Sequence, residues 1–98
     1  MLDAYADWLK SIKNERDALR ISRRVLKLSQ GHYGDYKSLG SGVSKLRFHF
    51  GPGYRVYYTL RSDGTVVILL GGGTKRHQSR DIAAARAARA GIEKDIIQ

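Results

Sequence analysis

The segment 45–60, KLRFHFGPGYRVYYTL, constrains the fold of this chain more than any other. Leu46, Phe48 and Phe50 alternate with Lys45, Arg47 and His49, so an extended segment here has one apolar and one basic side. Gly51-Pro52-Gly53 reads as a turn, because glycine reaches positive φ and proline holds a fixed one. Tyr54 to Leu60 follows as a second strand. Closing the hairpin over those three residues pairs Phe50 with Tyr54, Phe48 with Val56 and Leu46 with Tyr58 on the apolar side. The other side then pairs His49 with Arg55 and Arg47 with Tyr57. A slip by one residue would carry arginine into the core on one strand only, so the alternation fixes which face each side chain takes.

Helices are expected on either side of this sheet. Leu2, Tyr5, Leu9 and Ile12 recur at helical spacing, and a second helix over 15–29 puts Ala18, Ile21, Val25 and Leu28 on one face, making a hairpin. Residues 29–44, with four glycines and four serines, show no period and read as a loop with turns. After a turn at Arg61-Ser62-Asp63-Gly64, the run from Thr65 to Leu70 suits a central strand covered on both faces, which Gly71-Gly72-Gly73 ends. A last helix runs from Ser79, as N-cap, to about Ala90, with Asp81 in its first turn and Gly91 ending or kinking it. The expectation is one α+β domain over 1–98: an N-terminal helical hairpin on a twisted antiparallel sheet of three to four strands, with a C-terminal helix.

Composition narrows the function classes. No apolar run approaches the roughly 20 residues of a membrane span, and the opening MLDAYADWLK lacks a basic leader with an apolar core, so a cytoplasmic protein without membrane contact is expected. Without cysteine, and with His32, His49 and His77 scattered, neither a metal site nor a cofactor is expected. Lys75 is followed by Arg76, which leaves no phosphate-binding nucleotide loop. The net charge of +9 favours a polyanionic partner, and 11 of the 18 basic residues are arginine, whose planar fork pairs with phosphate through two hydrogen bonds.

Two basic constellations result. Lys45, Arg47, His49, Arg55 and Tyr57 share one sheet face, and Lys75 and Arg76 leave an adjacent strand end in a glycine-rich backbone open to a ligand. Arginines there can bind phosphate, the tyrosine ring can stack on a base, and the imidazole can exchange a proton. RNA cleavage without metal needs a base near the 2′-OH, cations around the phosphorane and an acid for the leaving oxygen, and this face can supply all three. The second constellation is a stripe of Arg16, Arg20, Arg23, Arg24 and Lys27 opposite the apolar face of the second helix. Plainer readings stay open: His49 as a cross-strand partner of Arg55, Tyr57 as sheet cover, Lys75 and Arg76 as turn residues, and the stripe as a solvated face.

The strings LRFHFGPGYRVYYTL and VVILLGGGTKRHQSRDI, with the element order, resemble the RelE/HigB-like toxins of bacterial type II toxin-antitoxin modules, in their addiction module killer branch of the RelE/ParE superfamily. The resemblance covers nearly the whole chain and is carried by Gly34, Asp35, Lys37, Gly40, Gly42, Val43, Leu46, Arg47, the segment 51–57, Gly72, Gly73, Lys75, Gln78, Asp81 and Ile82. It implies a RelE-like fold and an mRNA interferase: an endonuclease that cuts messenger RNA, often on the ribosome, and inhibits translation. It also implies silencing by a cognate antitoxin in a hetero-oligomer. By position, Lys45 and Arg47 match the basic residues before the turn, Arg55 the phosphate binder after it, and Arg76 the arginine linked to leaving-group protonation; Lys37 joins the RNA-binding set. Ile82 stands where many ribosome-dependent members carry tyrosine, and members usually begin with a strand where this chain begins with a helix, so a shortened start or a partner strand at that sheet edge is expected.

Two other functions fit the same fold. A ParE-like toxin would inhibit DNA gyrase without cutting nucleic acid, and a binding module would hold nucleic acid through the helical stripe, with affinity falling steeply in salt.

Overall fold

The computed structural model describes residues 4–61 and 67–97. Its elements run α1 (Ala4–Ser11), α2 (Glu15–Ser29), β1 (Tyr36–Ser38), β2 (Ser44–Arg47), β3 (Tyr54–Leu60), β4 (Val67–Thr74), a 3-10 turn (Lys75–His77) and α3 (Gln78–Ile97). The strands form one antiparallel sheet in the order β1-β2-β3-β4. The architecture is therefore the expected α+β one: two N-terminal helices, a four-stranded antiparallel sheet and a C-terminal helix. Leu2, the turn residues Ser62 to Gly64 and the strand start at Thr65 lie outside the described residues. Among the described residues no helix is long and apolar enough to cross a membrane.

The sheet is covered on both sides, and side-chain parity decides what each side holds. Toward α1 and α2, Leu46, Phe48, Tyr54, Val56 and Tyr58 join Ile21 and Leu28 in one buried cluster. Toward α3, Val43, Tyr57, Leu70 and Ala85 form a second. Asn14 starts α2 by accepting the Asp17 amide on its side-chain oxygen at 3.0 Å, the local reason for the helix boundary.

Five sequence expectations are corrected. The β2–β3 hairpin pairs Leu46 with Val56, Lys45 with Tyr57 and Arg47 with Arg55, two residues away from the expected register. The turn is longer than three residues: Phe48 donates its amide to the Tyr54 carbonyl at 3.0 Å, and Gly53 to that of Phe50 at 3.2 Å, with Gly51 and Gly53 at φ of 57° and 77°. A slip of two preserves parity, so every side chain keeps its expected face.

The segment 29–44 contains β1, three exposed residues whose pairing with β2 no periodicity announces. β4 stands at an edge of the sheet among the described residues, not at its centre, although both its faces are covered, and it continues through Gly71-Gly72-Gly73 instead of stopping there. A Cβ at Gly72 would overlap the Trp8 ring of α1, and one at Gly73 the Asp81 carboxylate of α3. The glycines thus let a helix approach each side of one strand, and packing is their evident use. Finally, α3 begins at Gln78 and passes through Gly91 to Ile97, so neither Ser79 as cap nor Gly91 as stop holds. Alanine-rich turns before Gly91 carry the helix through a residue that costs only about 1 kcal/mol.

Candidate functional site

Strand register assembles a cationic face in two adjacent rows. Lys37, Lys45 and Tyr57 align across β1, β2 and β3, and Arg47 and Arg55 align in the next row with Gly73. Like charges opposite one another repel, so each needs compensation, and two residues of other elements supply it.

The first is Gln78, in the opening turn of α3. Its side-chain oxygen accepts from the Lys45 ammonium and from Arg55 Nε at 3.3 Å. Arg55 Nη1 also donates to the carbonyls of Gly53 and Tyr54, at 3.2 and 3.1 Å. Lys45 and Arg55 are each only 8% exposed, which makes them buried cations. Burial first, then the charges of Arg55, Lys37 and Arg47, pull the Lys45 pKa below the ordinary lysine value.

The second is Asp35, just before β1. One carboxylate oxygen accepts from Arg47 Nη2 at 2.7 Å and Nε at 3.1 Å, and the other meets His49 Nε2. Those hydrogen bonds, His49 first and Arg47 second, hold the Asp35 carboxyl below its ordinary range. With Nε2 engaged by a carboxylate, Nδ1 is the ring nitrogen left for chemistry, on a side chain 72% exposed.

Beyond the rows, His49, Gly51, Pro52, Gly53, Arg55 and Lys75 line one cleft. Lys75 also lines the next, with Arg76, His77, Gln78, Ser79 and Arg80. The backbone explains the junction, since Lys75 N–H donates to the Gly53 carbonyl at 2.9 Å and ties the 3-10 turn to the hairpin.

The sequence candidates therefore divide. Lys37, Lys45, Arg47, His49, Arg55 and Lys75 gather around one face, with Arg76 on its flank. Tyr57 is 1% exposed in the cluster facing α3, so its ring offers no surface to a base. Its hydroxyl is buried with no hydrogen-bond partner among the described residues, and burial, with the Asp81 charge second, pushes its pKa up to about 12. The expected His49–Arg55 and Arg47–Tyr57 pairs are replaced by contacts to Asp35 and Gln78, following the two-residue shift in register. The stripe of Arg16, Arg20, Arg23, Arg24 and Lys27 belongs to α2, whose Ile21 and Leu28 pack on the opposite side of the sheet.

Asp35 and Gln78 were not singled out as site residues by sequence reasoning. Both occur among the residues that carry the family resemblance, but a lone aspartate in a loop and a lone glutamine have no spacing that declares a partner.

Fold and face together define a small α+β protein that presents a compensated cluster of lysine, arginine and histidine around a β-hairpin. The chain is 42% identical over 82 residues to an uncharacterised protein of Haemophilus influenzae, covering 84% of this chain and 82% of that one, and it belongs to that protein's family. No family model matches the chain, and no solved structure matches it.

Proposed function

We propose that this chain is a RelE/HigB-like toxin: an RNA endonuclease that works without metal, cuts messenger RNA on the ribosome in the cytoplasm, and is silenced by a cognate antitoxin. The observation that carries the reading is Lys45, a buried lysine with a lowered pKa, held beside Arg55 by one glutamine oxygen on the face that also bears the Asp35–His49 pair. A purely structural hairpin has no need to bury two cations side by side.

In this mechanism Lys45, in its neutral form, takes the proton from the ribose 2′-OH. The 2′ oxygen attacks phosphorus, and Arg47, Arg55 and Lys75 stabilise the phosphorane charge. The P–O5′ bond breaks as His49 delivers a proton from Nδ1, leaving a 2′,3′-cyclic phosphate and a 5′-hydroxyl. Lys37, paired with Lys45 across the strands, and Arg76, in the neighbouring cleft, would take flanking phosphates. Asp35 and Gln78 position the reacting groups and do not touch the substrate.

Growth arrest on induced expression tests the reading. Wild type should arrest growth, whereas Lys45→Met and His49→Ala should not, with both variants folded by circular dichroism. Full toxicity in both would overturn the nuclease reading and leave gyrase as the target to assay.

A further inference from the structure

The hollow between α2 and the β2–β3 hairpin is not absorbed by that reading. It measures about 240 Å³ and is lined by Arg20, Arg23, Arg24, Lys27, Phe48 and Phe50. The four cations follow one another at steps of three, one and three along α2, so a single side of two helical turns carries them all. None has a carboxylate within ion-pair distance among the described residues. Like charges three and four residues apart destabilise a helix. The acidic residues of α2, Glu15 and Asp17, are confined to its first turn, where Asp17 accepts from the Tyr54 hydroxyl at 3.0 Å.

Two of these cations are held in place by the protein itself. The Arg20 guanidinium lies 3.7 Å from the centre of the Phe50 ring, and that of Arg24 lies 5.1 Å from the centre of Phe48. Arg24 also donates to the Asp35 carbonyl at 3.4 Å and rests against Gly34, where a Cβ would overlap its guanidinium. A guanidinium over a ring gives up one face and keeps edge N–H groups for an anion. A phosphoryl group would therefore meet forks already ordered, at little further cost in side-chain entropy. Arg23 and Lys27, both exposed, complete the rim.

From this geometry we infer that the hollow is a binding site for a small free oligophosphate, a chain of two or three phosphoryl groups, inorganic or carried by a nucleotide. Charge density selects this class of ligand. A nucleic-acid strand carries one charge per phosphate and spaces its phosphates a nucleotide apart, so it leaves most of four converging cations unmatched. A triphosphate concentrates its charge within one hollow. The Phe48 and Phe50 ring faces are taken by Arg24 and Arg20, so recognition rests on the phosphate chain and not on a stacked base. α2 packs on the side of the sheet away from α3 and the proposed cleavage face, so the inference goes beyond the nuclease reading and stands or falls separately from it.

The test is calorimetric titration of the full chain with inorganic triphosphate, adenosine triphosphate and orthophosphate. Triphosphate should bind one to one and at least ten-fold tighter than orthophosphate, with the nucleotide within about three-fold of it. Arg20→Gln/Arg24→Gln should weaken triphosphate binding at least ten-fold. Arg23→Gln/Lys27→Gln, at exposed positions, should do the same with an unchanged circular dichroism melt, which keeps the test open if the first variant fails to fold. Lys75→Gln/Arg76→Gln should bind triphosphate like wild type. Equal affinity for triphosphate and orthophosphate would overturn the proposal, as would binding that survives both α2 variants or is lost in Lys75→Gln/Arg76→Gln. A nucleotide that binds far tighter than triphosphate would overturn recognition by the chain alone. A 2′-O-methyl RNA oligonucleotide, which cannot be cleaved at its 2′ oxygen, should leave bound triphosphate in place; displacement by it would assign the hollow to nucleic acid instead.

Discussion

Lys45 shows what a single side chain contributes to stability and to the proposed chemistry, with opposite signs. Its folded pKa lies below the ordinary lysine value because burial disfavours the ammonium. Between the folded and the unfolded pKa the unfolded chain binds more protons, so stability rises with pH through that window; below it the buried charge is a constant cost. Lys45→Met should therefore raise the neutral-pH stability by about 1 kcal/mol, as commonly happens when a strained active-site group is removed. Thermal melts should show the gap narrowing as pH approaches the ordinary lysine value, and RNA cleavage by the variant should fall at least a hundred-fold. Tyr57 gives the complementary case. Its buried hydroxyl has no hydrogen-bond partner among the described residues, so Tyr57→Phe should leave stability unchanged or improve it by up to about 1 kcal/mol. Cleavage should not change, and a ten-fold loss of rate would return Tyr57 to the chemistry.

Element by element, the alternating face of the β2–β3 hairpin was fully legible, because parity survives a two-residue change in register. The register itself was not, since it depends on Gly53 turning back onto Phe50, a local hydrogen bond that no pattern of apolar residues encodes. The amphipathic period marks α2 to both its ends, and the structure adds the Asn14 cap that starts it. β1 was missed because three exposed residues carry no period, and with it went the reason that Asp35 stands next to Arg47. The triple glycine reads in sequence as a backbone open to a ligand, whereas Gly72 and Gly73 make room for Trp8 and Asp81. That correction has a measurable consequence. Gly72→Ala puts a methyl group into a rigid indole ring and should cost about 1–3 kcal/mol, which lowers Tm by roughly 5–15 °C in a domain this size. A melt within a degree or two of wild type would show that α1 yields where packing says it should not.

At the scale of the whole molecule, whose net charge is +9, two basic surfaces lie on opposite sides of one sheet. One is the compensated face of Lys45, Arg47, His49 and Arg55; the other is the stripe of α2, which has no carboxylate within ion-pair distance among the described residues. Binding of single-stranded RNA to the first should weaken with salt by about 0.7 log units per log unit of salt for each phosphate contact. Lys37→Ala should lower that slope by about one contact's worth, and an unchanged slope would remove Lys37 from the RNA path. The central claim is that the face cleaves RNA with its own side chains. Its most direct test is to incubate the protein with translating ribosomes and a defined message, then map the new ends and their chemistry. The account predicts codon-phased cuts that leave 2′,3′-cyclic phosphates and 5′-hydroxyls and vanish in Lys45→Met/His49→Ala. An intact message, or cuts that persist in the double variant, would contradict it.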